Sequence, residues 1–109
     1  MIYFSSKSVS ASWLLGRLDC EATTMIVDVR SRLEFEAGDV PGAFHRPFWK
    51  IPFYTHYLSE TLSVVLYCGY GPRAKLAQLL LRAFGISAVL LDGHWFNWKR
   101  RGFPCEAEI

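Results

Sequence analysis

Long hydrophobic runs are missing from this sequence. No apolar stretch reaches the roughly eighteen residues that a membrane-crossing helix requires, and the opening Met1-Ile2-Tyr3-Phe4-Ser5-Ser6-Lys7 has neither the basic start nor the apolar core of a secretory signal. The expectation is a soluble, cytoplasmic protein with no membrane partner. A strong charge of either sign is also absent: 12 Lys and Arg against 10 Asp and Glu leave a net charge of +2. The basic cluster Lys99-Arg100-Arg101 suits the C-terminal end of a helix better than a nucleic-acid footprint, so no nucleic-acid partner is expected. Cysteine is sparse and odd in number. Cys20, Cys68 and Cys105 contain no Cys-x-x-Cys, and His45, His56 and His94 have no ligand spacing, which argues against a disulfide framework and against a metal site. Internal repeats, low-complexity tracts and linkers are lacking too.

What is present is apolar material. Of 109 residues, 51% are hydrophobic, enough for one packed core, so residues 1–109 read as a single domain. Short β-rich runs alternate with amphipathic segments, the pattern of an α/β fold with a parallel sheet covered by helices. Strands are expected at Ile2–Phe4, Met25–Val29, Ala43–Arg46, Val64–Tyr67 and Ala88–Leu91. The plainest helix spans Ala74–Phe84, with Ala77, Leu80, Leu81 and Phe84 on its buried face and Gly85 as its stop. Ser10 and Ser31 have the character of N-caps. Pro52 interrupts the aromatic-rich stretch Phe48–Leu62, whose structure the pattern leaves open. Its Trp49, Phe53, Tyr54 and Tyr57 suit a core or pocket wall better than a partner surface.

The chemistry gathers at Val64-Val65-Leu66-Tyr67-Cys68-Gly69-Tyr70-Gly71-Pro72-Arg73-Ala74. Cys68 falls directly after a buried strand and before a helix, the place where open α/β sheets bind ligands. Backbone N–H groups converging there, with the positive end of the helix, favour an anion, a thiolate included. Gly69 and Gly71 let the amides turn inward, Arg73 adds a fixed positive charge, and Pro72 stiffens the loop while removing one N–H donor. A single buried cysteine after a strand is more often plain core; it is the register of strand, cysteine, glycines, arginine and helix that points to a nucleophile.

The stretch Cys68–Arg73 resembles the six-residue active-site loop of rhodanese-like domains. Asp28-Val29-Arg30, Glu34 and Gly38-Asp39-Val40-Pro41-Gly42-Ala43 are similar to the family's Asp-x-Arg motif and Gly-His-Ile-Pro-Gly-Ala turn. Leu91-Asp92-Gly93, Trp98, Gly102 and Pro104 resemble its closing pattern. The resemblance implies a five-stranded parallel sheet flanked by helices on both faces, and a sulfurtransferase, thiosulfate sulfurtransferase-like, working through a Cys68 persulfide. Cys68 and Arg73 would be catalytic, and Gly69, Tyr70, Gly71 and Pro72 would bind substrate. Asp28, Arg30 and Glu34 would support the site, by tying a strand end to the next helix. The implied partners are a small anionic sulfur donor and an acceptor such as cyanide or a thiol, protein thiols included; no cofactor is implied. Two positions depart from the pattern: Asp39 stands in place of histidine, and His94 in place of the second glycine of a pair, near the pocket. Arg30 and Glu34 also have the i,i+4 spacing of a helical ion pair. Cys105, beyond a final helix rising about 1.5 Å per residue, is expected to lie away from the loop, and Cys20 to be a helix-end or core thiol.

Two other functions fit parts of the pattern. A cysteine-based phosphatase or arsenate reductase uses a loop one residue longer, which counts against it. The second is a non-catalytic rhodanese-like module that binds a partner or senses sulfur through Cys68; the retention of Cys68 and Arg73 counts against a dead domain but is compatible with a sensor.

Overall fold

The computed structural model describes residues 8–18, 24–54 and 63–106. Strands β1 (Ser8–Val9), β2 (Thr24–Asp28), β3 (Phe44–His45), β4 (Ser63–Tyr67) and β5 (Val89–Leu91) form one sheet in the order β1-β5-β4-β2-β3. Every pairing is parallel. This is the expected α/β architecture. The expected Ile2–Phe4 strand lies outside the described residues; the edge strand beside β5 is Ser8–Val9.

Period-two alternation in β4 builds two cores. Val64, Leu66 and Cys68 face one layer, closed by α3 (Pro72–Ala83) through Ala74, Ala77 and Leu81 and by a 3₁₀ helix (Phe48–Tyr54) through Ile51. Val65 and Tyr67 face the other, closed by α1 (Ala11–Arg17) through Leu14 and by α4 (His94–Arg100) through Trp98. A parallel sheet covered on both faces needs apolar residues at successive positions, which is why β4 reads as an unbroken hydrophobic run.

The caps match the local chemistry. Ser10 Oγ accepts the Trp13 N–H at 3.0 Å. Ser31 opens α2 (Arg32–Ala37) with a capping box, its Oγ accepting the Glu34 N–H at 3.3 Å while Glu34 Oε1 accepts the Ser31 N–H at 3.0 Å. Helix α3 starts two residues earlier than its apolar periodicity suggests, because Pro72 is pre-set for a first helical turn. Phe84, expected on the buried face, is exposed: it is the C-cap, where the backbone leaves the helical path. Trp49 and Phe53 are also exposed, since the 3₁₀ helix turns Ile51 toward α3 and leaves them on its outer side, whereas Tyr54 packs on the core. Tyr57, His56 and Cys20 lie outside the described residues. No helix among the described residues is long and apolar enough to cross a membrane.

Candidate active site

Cys68 sits at the carboxyl end of the central strand β4, where the chain leaves the sheet for α3, and its side chain is fully buried. Among the described residues one loop amide donates to its sulfur: Gly71 N–H to Sγ at 2.9 Å. Gly71 has φ +132° with a positive value that only glycine takes without strain, and a Cβ there would sit 3.2 Å from His94 Nε2. Loop geometry and residue choice therefore agree at this position.

The loop is held from below by α4. Trp95 N–H donates to the Cys68 carbonyl at 2.9 Å and Phe96 N–H to the Gly69 carbonyl at 3.2 Å. The same helix end carries His94, whose Nδ1 accepts the Cys68 N–H at 3.3 Å. Burial lowers the pKa of His94 below the ordinary histidine range; Asp92 opposes that shift and Lys75 adds to it.

Arg73 lies beside the loop in a forked ion pair with Glu34, Nη1 to Oε1 at 2.7 Å and Nη2 to Oε2 at 3.1 Å. Its hydrogen bonds hold the Glu34 carboxyl down to about 2, and Glu34 in turn raises Arg73. Arg30 does not pair with Glu34, despite their spacing. It precedes the Ser31 cap and so is not on a helix, and its guanidinium grips Asp28, Nε to Oδ1 at 3.0 Å and Nη2 to Oδ2 at 2.7 Å. Nη2 also donates to the Gly38 carbonyl at 2.5 Å, tying the end of β2 to the end of α2. The buried Arg30 guanidinium lies over Trp95 and Tyr67, 4.8 and 5.6 Å from their ring centroids. The Tyr67 hydroxyl, accepting the Val40 N–H at 3.0 Å, has its pKa raised by burial and then by Asp28.

An open cleft of about 470 Å³ adjoins the loop, lined in part by Gly69, Tyr70, Trp95, Phe96, Lys99 and Cys105. Tyr70, largely exposed, leans on Phe96 with ring centroids 5.3 Å apart and forms a lip. Cys105 was expected far from the loop, on the rise of the last helix. Instead the chain turns back at Gly102, and Glu106 pairs antiparallel with Asp39, which brings Cys105 to the cleft wall. Burial raises the Cys105 pKa. Asp39 is buried in that bridge. His45 is structural, with Nε2 2.7 Å from the Arg30 carbonyl and its ring stacked on Phe35. No group of three or more His, Cys, Asp or Glu suited to a metal occurs among the described residues.

The structure places Cys68, Gly69, Gly71 and Arg73 around one turn between β4 and α3, and adds two features that the sequence pattern does not spell out, the Glu34–Arg73 pair and the grip of α4 on the loop. A signal for the latter was present: a histidine where a similar chain would have glycine. The chain matches the family model for the Rhodanese-like domain over residues 10–101. It is 31% identical over 100 residues to a protein named Sulfurtransferase from Allochromatium vinosum, an alignment covering 91% of this chain and 94% of that one. Among solved structures, the rhodanese-like domain of the Alr3790 protein from Anabaena sp. superposes with a TM-score of 0.82 at 27% identity, covering 94% of this chain and 80% of that chain. A Rhodopseudomonas palustris protein described as a possible tyrosine phosphatase shares the fold at 23% identity and a TM-score of 0.83, covering 94% of this chain and 86% of that one.

Proposed function

Because this chain belongs to the rhodanese-like domain family, we propose that it is a cytoplasmic sulfurtransferase in which Cys68 carries sulfane sulfur as a persulfide. The Cys68 thiolate attacks the outer sulfur of thiosulfate or of a persulfide donor. A new S–S bond forms, the old one breaks, and sulfite or a thiolate leaves with the electron pair. An acceptor thiolate or cyanide then attacks the outer sulfur of the Cys68 persulfide and returns Cys68 as thiolate. Each step exchanges one bond to sulfur for another, so the cycle calls for no external oxidant or reductant.

The observation that carries this reading is the Gly71 N–H on Cys68 Sγ at 2.9 Å, in a loop anchored by α4. A donor fixed before reaction stabilises negative charge on sulfur without rearrangement. Arg73 supplies positive charge at the loop's edge for an anionic donor, and Gly69, Tyr70, Gly71 and Pro72 form its rim. Asp28 at the end of β2, Arg30 in the turn that follows and Glu34 on α2 support the loop. The six-residue span from Cys68 to Arg73 favours sulfur over the tetrahedral oxyanion of a phosphatase.

A second reading, a sulfur-sensing module without turnover, draws on the complete burial of Cys68 and on Glu34 already occupying Arg73. Thiosulfate treatment followed by intact-mass measurement separates the two. Wild type is expected to gain one sulfur and Cys68→Ser none, and cyanide or a thiol should then discharge the sulfur repeatedly. Loading without discharge promotes the sensor; no loading, with no thiosulfate:cyanide activity, overturns both.

A further inference from the structure

His94 is a buried imidazole that sulfur transfer as described above does not use. Its backbone has φ +54°, a value uncommon for residues with a Cβ. Its ring meets the loop twice. Nδ1 accepts the Cys68 N–H at 3.3 Å, and Nε2 lies beside Gly71, the residue whose amide reaches Cys68 Sγ. A neutral imidazole whose Nδ1 accepts a hydrogen bond carries its proton on Nε2. The next residue along the loop is Pro72, which has no N–H to offer an anion. The loop is thus one N–H short at Pro72, and His94 Nε2 lies against the residue just before it.

We propose that His94 holds the Cys68 backbone through Nδ1 and, through Nε2–H beside Gly71, adds a donor to the anion cradle of a loop that is one N–H short at Pro72. The proposal rests on the reading of Cys68 as the sulfur carrier. It also makes the loop sensitive to protons. Protonation at Nδ1 ends its capacity to accept the Cys68 N–H and sets two donors against each other. The charged and titratable groups facing the ring are Cys68 in the loop, Asp92 ahead of α4 and Lys75 on α3. Burial and Lys75 favour the neutral ring and Asp92 opposes them, so the bonded form persists through neutral pH.

Long-range ¹⁵N–¹H NMR of the labelled full chain, with His94 assigned through His94→Asn, reads the tautomer directly. The Nε2–H form with a midpoint below the ordinary histidine range is expected, and sulfite should shift the Nε2–H signal. An Nδ1–H tautomer, or a signal indifferent to sulfite, overturns the proposal, and neither readout depends on sulfur transfer. Rates of Cys68 persulfide formation supply the second test. His94→Gly, which eases the backbone and should fold, is expected to react about a hundredfold more slowly. His94→Asn tolerates the same backbone, keeps an acceptor near the Nδ1 position, and should recover part of the rate while losing the acid-side inflection at His94. Equal rates and equal pH profiles in wild type and His94→Gly also overturn it. A wild type that takes no sulfur defeats the sulfurtransferase reading, leaving NMR to decide the His94 contacts.

Discussion

Two carboxylate–arginine pairs flank the loop, alike in chemistry and unlike in setting. Asp28 and Arg30 are both buried, fastened to the Gly38 carbonyl and covered by Tyr67 and Trp95. Glu34 and Arg73 make an equally forked pair between α2 and α3, with side chains 40% and 34% exposed. Solvent decides what each can do. Breaking a buried pair strands a charge without water, while a partly exposed pair gives up little on separation because water replaces the partner. The first pair is therefore architecture. The second keeps a guanidinium beside the site that can change partners at small cost.

The largest expected effect tests the buried pair. Asp28→Ala leaves the Arg30 guanidinium uncompensated and should destabilise the fold by about 3–5 kcal/mol in urea unfolding. Glu34→Gln, which keeps an oxygen to accept the Ser31 N–H, should change the same measurement by less than about 1 kcal/mol. Comparable losses in the two variants would erase the difference between the buried and the exposed pair.

A smaller effect, on activity and not on stability, sharpens the role of the exposed pair. Arg73→Lys keeps the charge but loses the planar fork that satisfies Glu34 and an anion together. It should lower kcat/KM for thiosulfate on the order of tenfold, below the effect of deleting a fixed oxyanion donor because Arg73 is already shared with Glu34. The unfolding midpoint should barely move. If stability falls as activity does, Arg73 belongs with the architecture.

The sheet was legible because parallel strands covered on both faces read as apolar runs, and the loop because cysteine, two glycines and arginine fall between a strand and a helix. Less legible were interactions that depend on chain reversal or long-range meeting. The i,i+4 spacing of Arg30 and Glu34 suggested a pair, but Ser31 starts the helix between them and sends each to another partner. Cys105 looked remote because helical rise was extended past Gly102, where the chain in fact doubles back to Asp39. His94 was placed near the pocket but not on the Cys68 amide, since its φ of +54° aims the side chain where helical spacing would not. Trp49 and Phe53 followed aromatic statistics inward, while a short 3₁₀ turn has room to bury only part of so aromatic a segment.

The smallest expected effect is the acid limit of the exposed pair. Arg73 first, and then hydrogen bonds from Ser31, hold the Glu34 carboxyl at about 2 against the opposing effect of burial, compared with an ordinary value of 4.5. A carboxylate depressed on folding contributes stability fully above its unfolded value and loses it as pH falls toward its folded value. The Glu34 contribution should therefore be constant from neutral pH to about 4.5 and vanish near 2. Exposure and salt limit it to about 0.2–1 kcal/mol. Urea midpoints of wild type and Glu34→Gln should differ by a fixed amount above that window and converge within it, with added salt shrinking the gap. His94 acts at higher pH, since a buried neutral imidazole starts to lose stability as pH falls below 6.5. A wild-type minus Glu34→Gln difference that already shrinks between pH 6.5 and 5 would mean that the exposed pair is coupled to His94 through the loop, and solvent exposure alone would no longer explain how it differs from the buried pair.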